Sequence, residues 1–360
     1  MDDLRAQVGQ LLIFGFDGTE PSARLRTAVS DIQPGGIILF ARNIVEPRQT
    51  WELLHDARAW ASTPMFLCVD MEGGTVDRLK AVIAPAPAAA DVFATEKKKV
   101  FRRHGRLIGE ECRALGFNVD FAPVLDLGLE PSRSVLTSRT VSSDPKHTVL
   151  YAKEFLKGLN DERVLGCGKH FPGLGEANLD THHELPTIKK KWRRLWKEDL
   201  YPYRKLRKEL PFVMVAHAAY PDVTGDRTPA SISPKWVTDI LRKKIGYRGL
   251  IISDDLEMGG VLAAGSIEHA AIETLRAGAD IFLVCHKEEH VWATYRAVLK
   301  EAKRDRKFAA LVERAAGRVV DFKKKHKDLR RFAGAPSERG LRKLREEMAR
   351  FTAGIGEASA

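Results

Sequence analysis

Followed for hydrophobicity alone, the chain is a succession of short apolar runs separated by longer amphipathic stretches. The runs are LLIFGF (11–16), GGIILF (35–40), MFLCVD (65–70), FNVDFAPVLD (117–126), VLGCGKH (164–170), FVMVAH (212–217), GLIISDD (249–255) and DIFLVC (280–285). Apolar residues inside them are contiguous rather than alternating, the pattern of strands buried on both faces in a parallel sheet. Intervening stretches such as TEKKKVFRRHGRLIGEECRAL and SPKWVTDILRKKI return an apolar residue every three or four positions and predict helices. Eight strand–helix units predict an α/β fold with one (β/α)8 barrel. A doubly wound open sheet is the alternative, but it would ordinarily carry a glycine-rich phosphate turn after its first strand, and GFDGTE fits that fingerprint poorly.

Beyond the eighth run, Phe308, Leu311, Val312, Ala315, Val319 and Phe322 mark one amphipathic helix, and Leu341, Leu344, Met348 and Phe351 mark a second after the loop AGAPS. The pattern divides the chain into a barrel domain, 1–330, and a helical extension and tail, 331–360. Both helices are expected to close the barrel, and IGEASA is expected to fray.

Bulk properties narrow the function classes. The 360 residues are 44% hydrophobic and 30% charged, as in a soluble protein with a large core. No window approaches the roughly 20 apolar residues that cross a bilayer, and the N-terminus opens acidic with too short an apolar run for a signal peptide, so membrane insertion is not expected and a cytoplasmic location is. The four cysteines, Cys68, Cys112, Cys167 and Cys285, show no CxxC spacing and read as buried thiols, which excludes a zinc ribbon. The net charge of +11 could suggest nucleic acid, yet the excess lies in KKKWRRLWKEDLYPYRKLRK (189–208) and the C-terminal third, at helical spacing. Solvated faces of outer helices account for it, and no nucleic-acid module accompanies it.

In a (β/α)8 barrel the active site forms at the C-terminal ends of the strands. Polar residues at those ends are Asp70, Lys169 with His170, His217, and Asp254 with Asp255. Singly, each has a duller role: a strand-end Asp as a helix cap, a histidine as a satisfied hydrogen-bonding partner. Together they converge on one rim, which makes a shared cavity the stronger reading. The loop after the fifth run, KHFPGLGEANLDTHH, adds Asp180 and His182, two apart, so that a carboxylate can orient an imidazole and raise its pKa toward neutrality. The same pair could instead simply tie the loop down. Gly173, Gly175, Pro172 and Pro186 suit a loop that moves over a substrate, and His183 reads as a flank.

Three stretches, FLCVDMEGGTVDRL, GKHFPGLGEANLDTHHELP and TPASISPKWVTDILRKKIGYRGLIISDDLEMGG, together resemble glycoside hydrolase family 3 in its single-domain β-N-acetylhexosaminidase branch. The resemblance runs in order from about residue 8 to residue 290. It implies a retaining enzyme in which Asp254 is the nucleophile, His182 the acid/base and Asp180 its orienting partner. This departs from the usual pair of carboxylates. It also implies Asp70, Arg78, Arg139, Lys169 and His170 as ligands of sugar hydroxyls, with His217 lining the pocket. The expected substrate is terminal, non-reducing β-linked N-acetylglucosamine, as in peptidoglycan fragments, handled by a monomer with no cofactor or metal. Departures are EGGTVDR where the family usually has EGGRVQR, changing Thr75 and Asp77, and Leu174 where KHFPGHG has histidine. The resemblance does not extend to the second domain many members carry, which would leave His182 on its own loop to complete the site.

Other chemistries use the same residues. Phosphorolysis is a close variant, since a neutral histidine does not repel phosphate. A metal-dependent barrel hydrolase would use His170, His182, His217 and Asp254, although the first strand lacks H-x-H. A Schiff-base aldolase would use Lys169. A sugar-binding protein would show affinity without turnover.

Overall fold

The computed structural model describes residues 3–177 and 185–359, with side chains as far as residue 356. Ten strands occur among them: β1 Leu12–Phe14, β2 Gly36–Ile38, β3 Phe66–Val69, β4 Met71–Gly73, β5 Val76–Asp77, β6 Val119–Asp120, β7 Leu165–Phe171, β8 Phe212–Val215, β9 Leu250–Asp255 and β10 Ile281–Val284. Eight close a parallel barrel in the order β1-β10-β9-β8-β7-β6-β3-β2, and β4 with β5 form a separate antiparallel hairpin. Each barrel strand falls within one of the eight apolar runs, except that β7 continues one residue past its run to Phe171. The contiguous hydrophobicity has the cause inferred from it: inward side chains fill the barrel, outward ones meet the surrounding helices, and Leu12, Ile13, Ile37, Ile251 and Ile281 are fully excluded from solvent.

The helices carry legible caps. Pro145–Asp161 starts on Asp144, whose side chain accepts from the Lys146 amide, with proline at the first helical position. It packs beside Lys98–Ala114, whose buried face holds Phe101, His104, Leu107, Ile108 and Cys112.

Helix Arg306–Lys325 crosses the N-terminal mouth of the barrel. Its Phe322 ring meets Phe66 at 6.0 Å and Phe212 at 5.3 Å, at the feet of β3 and β8. Next to it the Lys323 ammonium donates to Gly35 O, below β2, and to Gln10 Oε1, each at 2.8 Å. This helix seals the floor, as its apolar stripe suggested. The last helix, Glu338–Ser359, lies against Lys98–Ala114, with Phe351 stacked on His104 at 5.9 Å. Ile355 is buried, so the fraying expected of IGEASA does not begin at its first residue. The four cysteines are free and buried, as their spacing implied. Among the described residues no helix is long and apolar enough to cross a membrane.

Candidate active site

Immediately past β3 the chain turns into the β4–β5 hairpin, which carries Glu72 and Arg78 to the barrel rim beside Asp70. The paired glycines of the EGG segment have a steric reason. Gly73 and Gly74 both have positive φ, and a Cβ on Gly73 would lie 2.2 Å from Pro87 O. Asp120 on β6 pins the hairpin from beneath, its Oδ1 accepting the Met71 amide at 2.9 Å. Burial pushes the Asp120 carboxyl well above the usual carboxylate range.

At the end of β7 the register against β8 shifts between Gly168 and Phe171. An irregularity of this kind re-aims side chains, and Lys169 and His170 both line the cavity. Glu72, 4% exposed, is the hub: Oε1 accepts from Lys169 Nζ at 2.6 Å and from Arg139 at 2.9 Å, and Oε2 from Arg139 Nε at 2.7 Å. The Lys169 ammonium also donates to Asp70 Oδ1 at 2.7 Å. Two cations and two anions thus balance in a desolvated cluster, with a bidentate arginine fork fixing its geometry. Burial alone would raise the Glu72 carboxyl, but the Lys169 and Arg139 charges hold it well below the usual range. Burial alone would lower Lys169, but Asp70 and Glu72 hold it above the usual lysine value. Glu72, Lys169 and Arg139 therefore stay charged across the physiological range.

His170 is oriented by a carboxylate. Its Nδ1 lies 2.6 Å from Asp126 Oδ2, and Asp126 also accepts the Leu174 amide at 2.7 Å. The pairing assigns the Nδ1–H tautomer. Asp126 is therefore shared between the end of β7 and the start of the loop that follows. Arg78 lies 5.8 Å from the Phe40 ring centroid, and its buried Nε has no hydrogen-bond partner among the described residues.

Asp254 stands near the end of β9. Its Oδ1 accepts the Asp255 amide at 2.9 Å, and among the described residues it makes no contact ion pair. Burial would raise its carboxyl, but the nearby His170 and His217 rings outweigh that and hold it below the usual range. Asp255 turns the other way: Oδ1 accepts the Cys285 and Glu257 amides, each at 3.1 Å, and Oδ2 meets His286 Nε2 at 3.2 Å. That hydrogen bond raises the His286 pKa. His217 is fully buried, and among the described residues it does not line the cavity. Its Nδ1 accepts from Ser231 Oγ at 2.7 Å and its Nε2–H donates to Asp255 O at 2.9 Å, so it supports the end of β9 from behind. Burial lowers its pKa, against the pull of the Asp254 carboxylate nearby.

Asp70, Glu72, Arg78, Arg139, Lys169, His170, Asp254, Asp255 and His286 thus share one cavity of about 210 Å³. Asp180 and His182, the pair read from the loop after β7, lie outside the described residues. Four groups of the candidate site were not read from the sequence: Glu72 and His286 on the cavity, Asp255 as a backbone anchor, and Asp126 behind His170. Glu72 was in view inside EGG, and Asp126 closes the fourth apolar run; His286 sits one residue past the eighth and carried no signal. Among the described residues no three His, Cys, Asp or Glu side chains converge as metal ligands would.

Residues 3–322 match the family model for the glycosyl hydrolase family 3 N-terminal domain. The chain belongs to glycoside hydrolase family 3. This hydrolase is 36% identical over 292 residues to a protein named beta-hexosaminidase from Alkalilimnicola ehrlichii, covering 79% of this chain and 83% of the relative. Among solved structures it superimposes on a family 3 β-N-acetylglucosaminidase from a Paenibacillus species with a TM-score of 0.89 at 30% identity, spanning 98% of this chain and 69% of the other. Native NagZ from Neisseria gonorrhoeae gives a TM-score of 0.73 at 29% identity, spanning 86% and 98%. The family resemblance read from the motifs and the (β/α)8 architecture both stand, and the family 3 barrel is an enzyme acting on glycosidic bonds.

Proposed function

We propose that this family 3 hydrolase removes terminal, non-reducing β-linked N-acetylglucosamine, with retention, through a covalent glycosyl–Asp254 intermediate. The carrying observation is the contrast between Asp254 and its neighbours: every other carboxylate of the cavity is committed to a cation or to backbone amides, whereas Asp254 is ionised and opens on the cavity with one oxygen engaged. Attack by its carboxylate on the anomeric carbon expels the aglycone oxygen, which takes a proton. Water then returns the sugar with the stereochemistry it started with. His182, oriented by Asp180, is the proposed donor and, once neutral, the base that activates water.

Asp70, Arg78, Arg139, Lys169 and His170 are the proposed ring ligands. The fixed Lys169–Asp70–Glu72–Arg139 cluster offers donors and acceptors in a constant geometry, and the Arg78 Nε, unpartnered among the described residues, is a donor that a sugar oxygen can satisfy. The cavity is smaller than the roughly 300–1,000 Å³ of drug-sized ligand sites, which favours one ring held inside and the aglycone outside. The acetamido preference and the peptidoglycan fragments as substrates rest on likeness to relatives named for that sugar. Action in the cytoplasm and as a monomer belongs to the same reading.

The deciding experiment is incubation with a 2-fluoro-type glycosyl donor followed by peptide mass mapping. A sugar adduct on Asp254 is expected, and an adduct elsewhere, or none despite turnover, removes the assignment. Product analysis in phosphate buffer separates hydrolysis from phosphorolysis: free sugar is expected, and a sugar 1-phosphate as main product would replace the hydrolase reading.

A further inference from the structure

At the other end of the barrel, between the feet of β9 and β10, lies a second cavity of about 290 Å³ whose lining includes Arg242, Arg248, Arg314 and Arg318. Four arginines face it and no carboxylate does. The compensating anion, Asp280, is fully buried behind the wall, where its oxygens accept from Arg242 Nη2, from Arg318 Nε and from the Ile251 amide. Arg242 is further occupied by the Tyr247 and Gly249 carbonyls. The guanidinium ends of Arg318 are left over, and Arg248 and Arg314 form no ion pair or hydrogen bond among the described residues. Four positive charges around one opening are balanced by one negative charge.

We propose that this cleft is a binding site for a phosphate-bearing small anion, separate from the sugar pocket. Several arginines elsewhere in the molecule sit against a carboxylate. Arg102 pairs with Asp161, Arg139 with Glu72, Arg276 with Glu301, each within reach of a carboxylate. In the cleft Arg248 and Arg314, which have no carboxylate partner among the described residues, share one opening with Arg318, whose Nε alone is taken by Asp280, at a mutual repulsion that a phosphate group relieves. Planar guanidinium forks match phosphate oxygens two at a time. Arg248 on the cleft precedes Asp254 by six residues, or about 20 Å of extended chain, so the cleft's occupant touches no sugar ligand.

The test is isothermal titration with pyrophosphate, using the full chain and the double variant Arg248→Gln/Arg314→Gln. Both changed residues are exposed and neither is placed in the sugar site. Binding is expected in the wild type, weakened at least roughly tenfold in the variant through two lost charge-assisted hydrogen bonds, and weakened with rising salt. Hydrolysis of a chromogenic glycoside and the Tm in phosphate-free buffer are expected to be unchanged by the substitutions, which keeps a misfolded variant from passing as support. Saturating N-acetylglucosamine should leave the pyrophosphate heat intact. No heat in the wild type, equal heat in the variant, or heat abolished by the sugar would each overturn the site. A parallel arm with phosphatidylglycerol vesicles distinguishes the source of phosphate: retention on vesicles that pyrophosphate does not displace would make this a membrane-facing surface and not a cleft for a small anion.

Discussion

Lys169 and Lys323 are buried almost equally, at 3% and 4% exposure, at opposite ends of the same barrel. They are electrostatic opposites. Lys169 sits on the rim between Asp70 and Glu72, and those carboxylates overcome the cost of burial and keep it charged. Lys323 sits on the floor against the Phe66 ring, with its nitrogen 4.7 Å from the centroid, and its hydrogen-bond acceptors are the uncharged Gln10 Oε1 and Gly35 O. Burial there pushes its pKa down to about 7. The difference separates two uses of a buried amine. On the rim an anion partner makes the charge permanent and available to a polar ligand, whereas on the floor the amine seals a gap between helix and strand and its charge is a liability.

The sharpest way to break this contrast is Lys169→Met. Removing one partner of a buried pair strands the other, so Asp70 and Glu72 are left facing each other, and a loss of about 3–5 kcal/mol of stability is expected. A fall of roughly 10³-fold in kcat/KM is expected alongside it, from the lost ligand and the distorted cavity. Chemical denaturation and steady-state kinetics check the two separately. Near-wild-type values in both would mean that the cluster is ornamental.

Glu72→Gln keeps the shape of the hub and deletes its charge. Loss of one member of a desolvated charge pair typically costs 2–5 kcal/mol, so a fall of roughly 10²-fold in kcat/KM is expected. The fall should appear chiefly in KM if Glu72 holds Lys169 and Arg139 in place for ground-state binding, and chiefly in kcat if it acts only in the transition state. His286→Asn is expected to do far less. Its side chain is more than half exposed at 54%, and its partner Asp255 is held also by two amides. A loss of up to about fivefold is expected, in keeping with partly exposed ion pairs. It should be largest on the acid side, where the imidazolium exists, and fade as pH rises past the raised His286 pKa.

These residues also show what a sequence can and cannot disclose. The barrel was legible because both faces of each strand are apolar, so the runs LLIFGF through DIFLVC marked the strands directly. The rim positions followed from the fold, because a polar residue closing an apolar run has one place to be. The hairpin β4–β5 was not legible: strands of three and two residues have no periodicity to detect, and EGG reads as a turn. Its place in the cavity is set by Glu72 meeting Arg139, 67 positions away, and Lys169, nearly a hundred away. Asp126 and His170 meet across 44 positions in the same fashion. Partnerships closed by the fold leave no local spacing to read. The basic runs misled in the same manner. Most of their lysines are solvated, but Lys190 is buried among Glu198, Asp199 and Glu176, and Lys323 lies on the inner face of its helix, indistinguishable in sequence from the exposed Lys324 and Lys325 beside it.

The last prediction concerns the floor and should leave turnover untouched. In the unfolded chain Lys323 titrates near 10.4, and in the fold near 7. Between those values the unfolded state holds a proton that the folded state has released, so stability attributable to this group rises with pH. The penalty for burying the ammonium is full below pH 7 and vanishes as pH climbs through the unfolded value. Lys169 has the opposite sign: its folded pKa is raised, and its contribution is complete below the unfolded value and lost only above the folded one. Lys323→Met removes the floor titration and leaves the rim alone. The stability difference between wild type and variant should therefore shift in favour of the wild type by on the order of 1 kcal/mol per pH unit from pH 7 to 10, measured by urea denaturation at each pH. The kcat at pH 7 should match the wild type. A difference independent of pH would mean that Lys323 keeps its charge in the fold, and the two lysines would then differ in their surroundings without differing in their state.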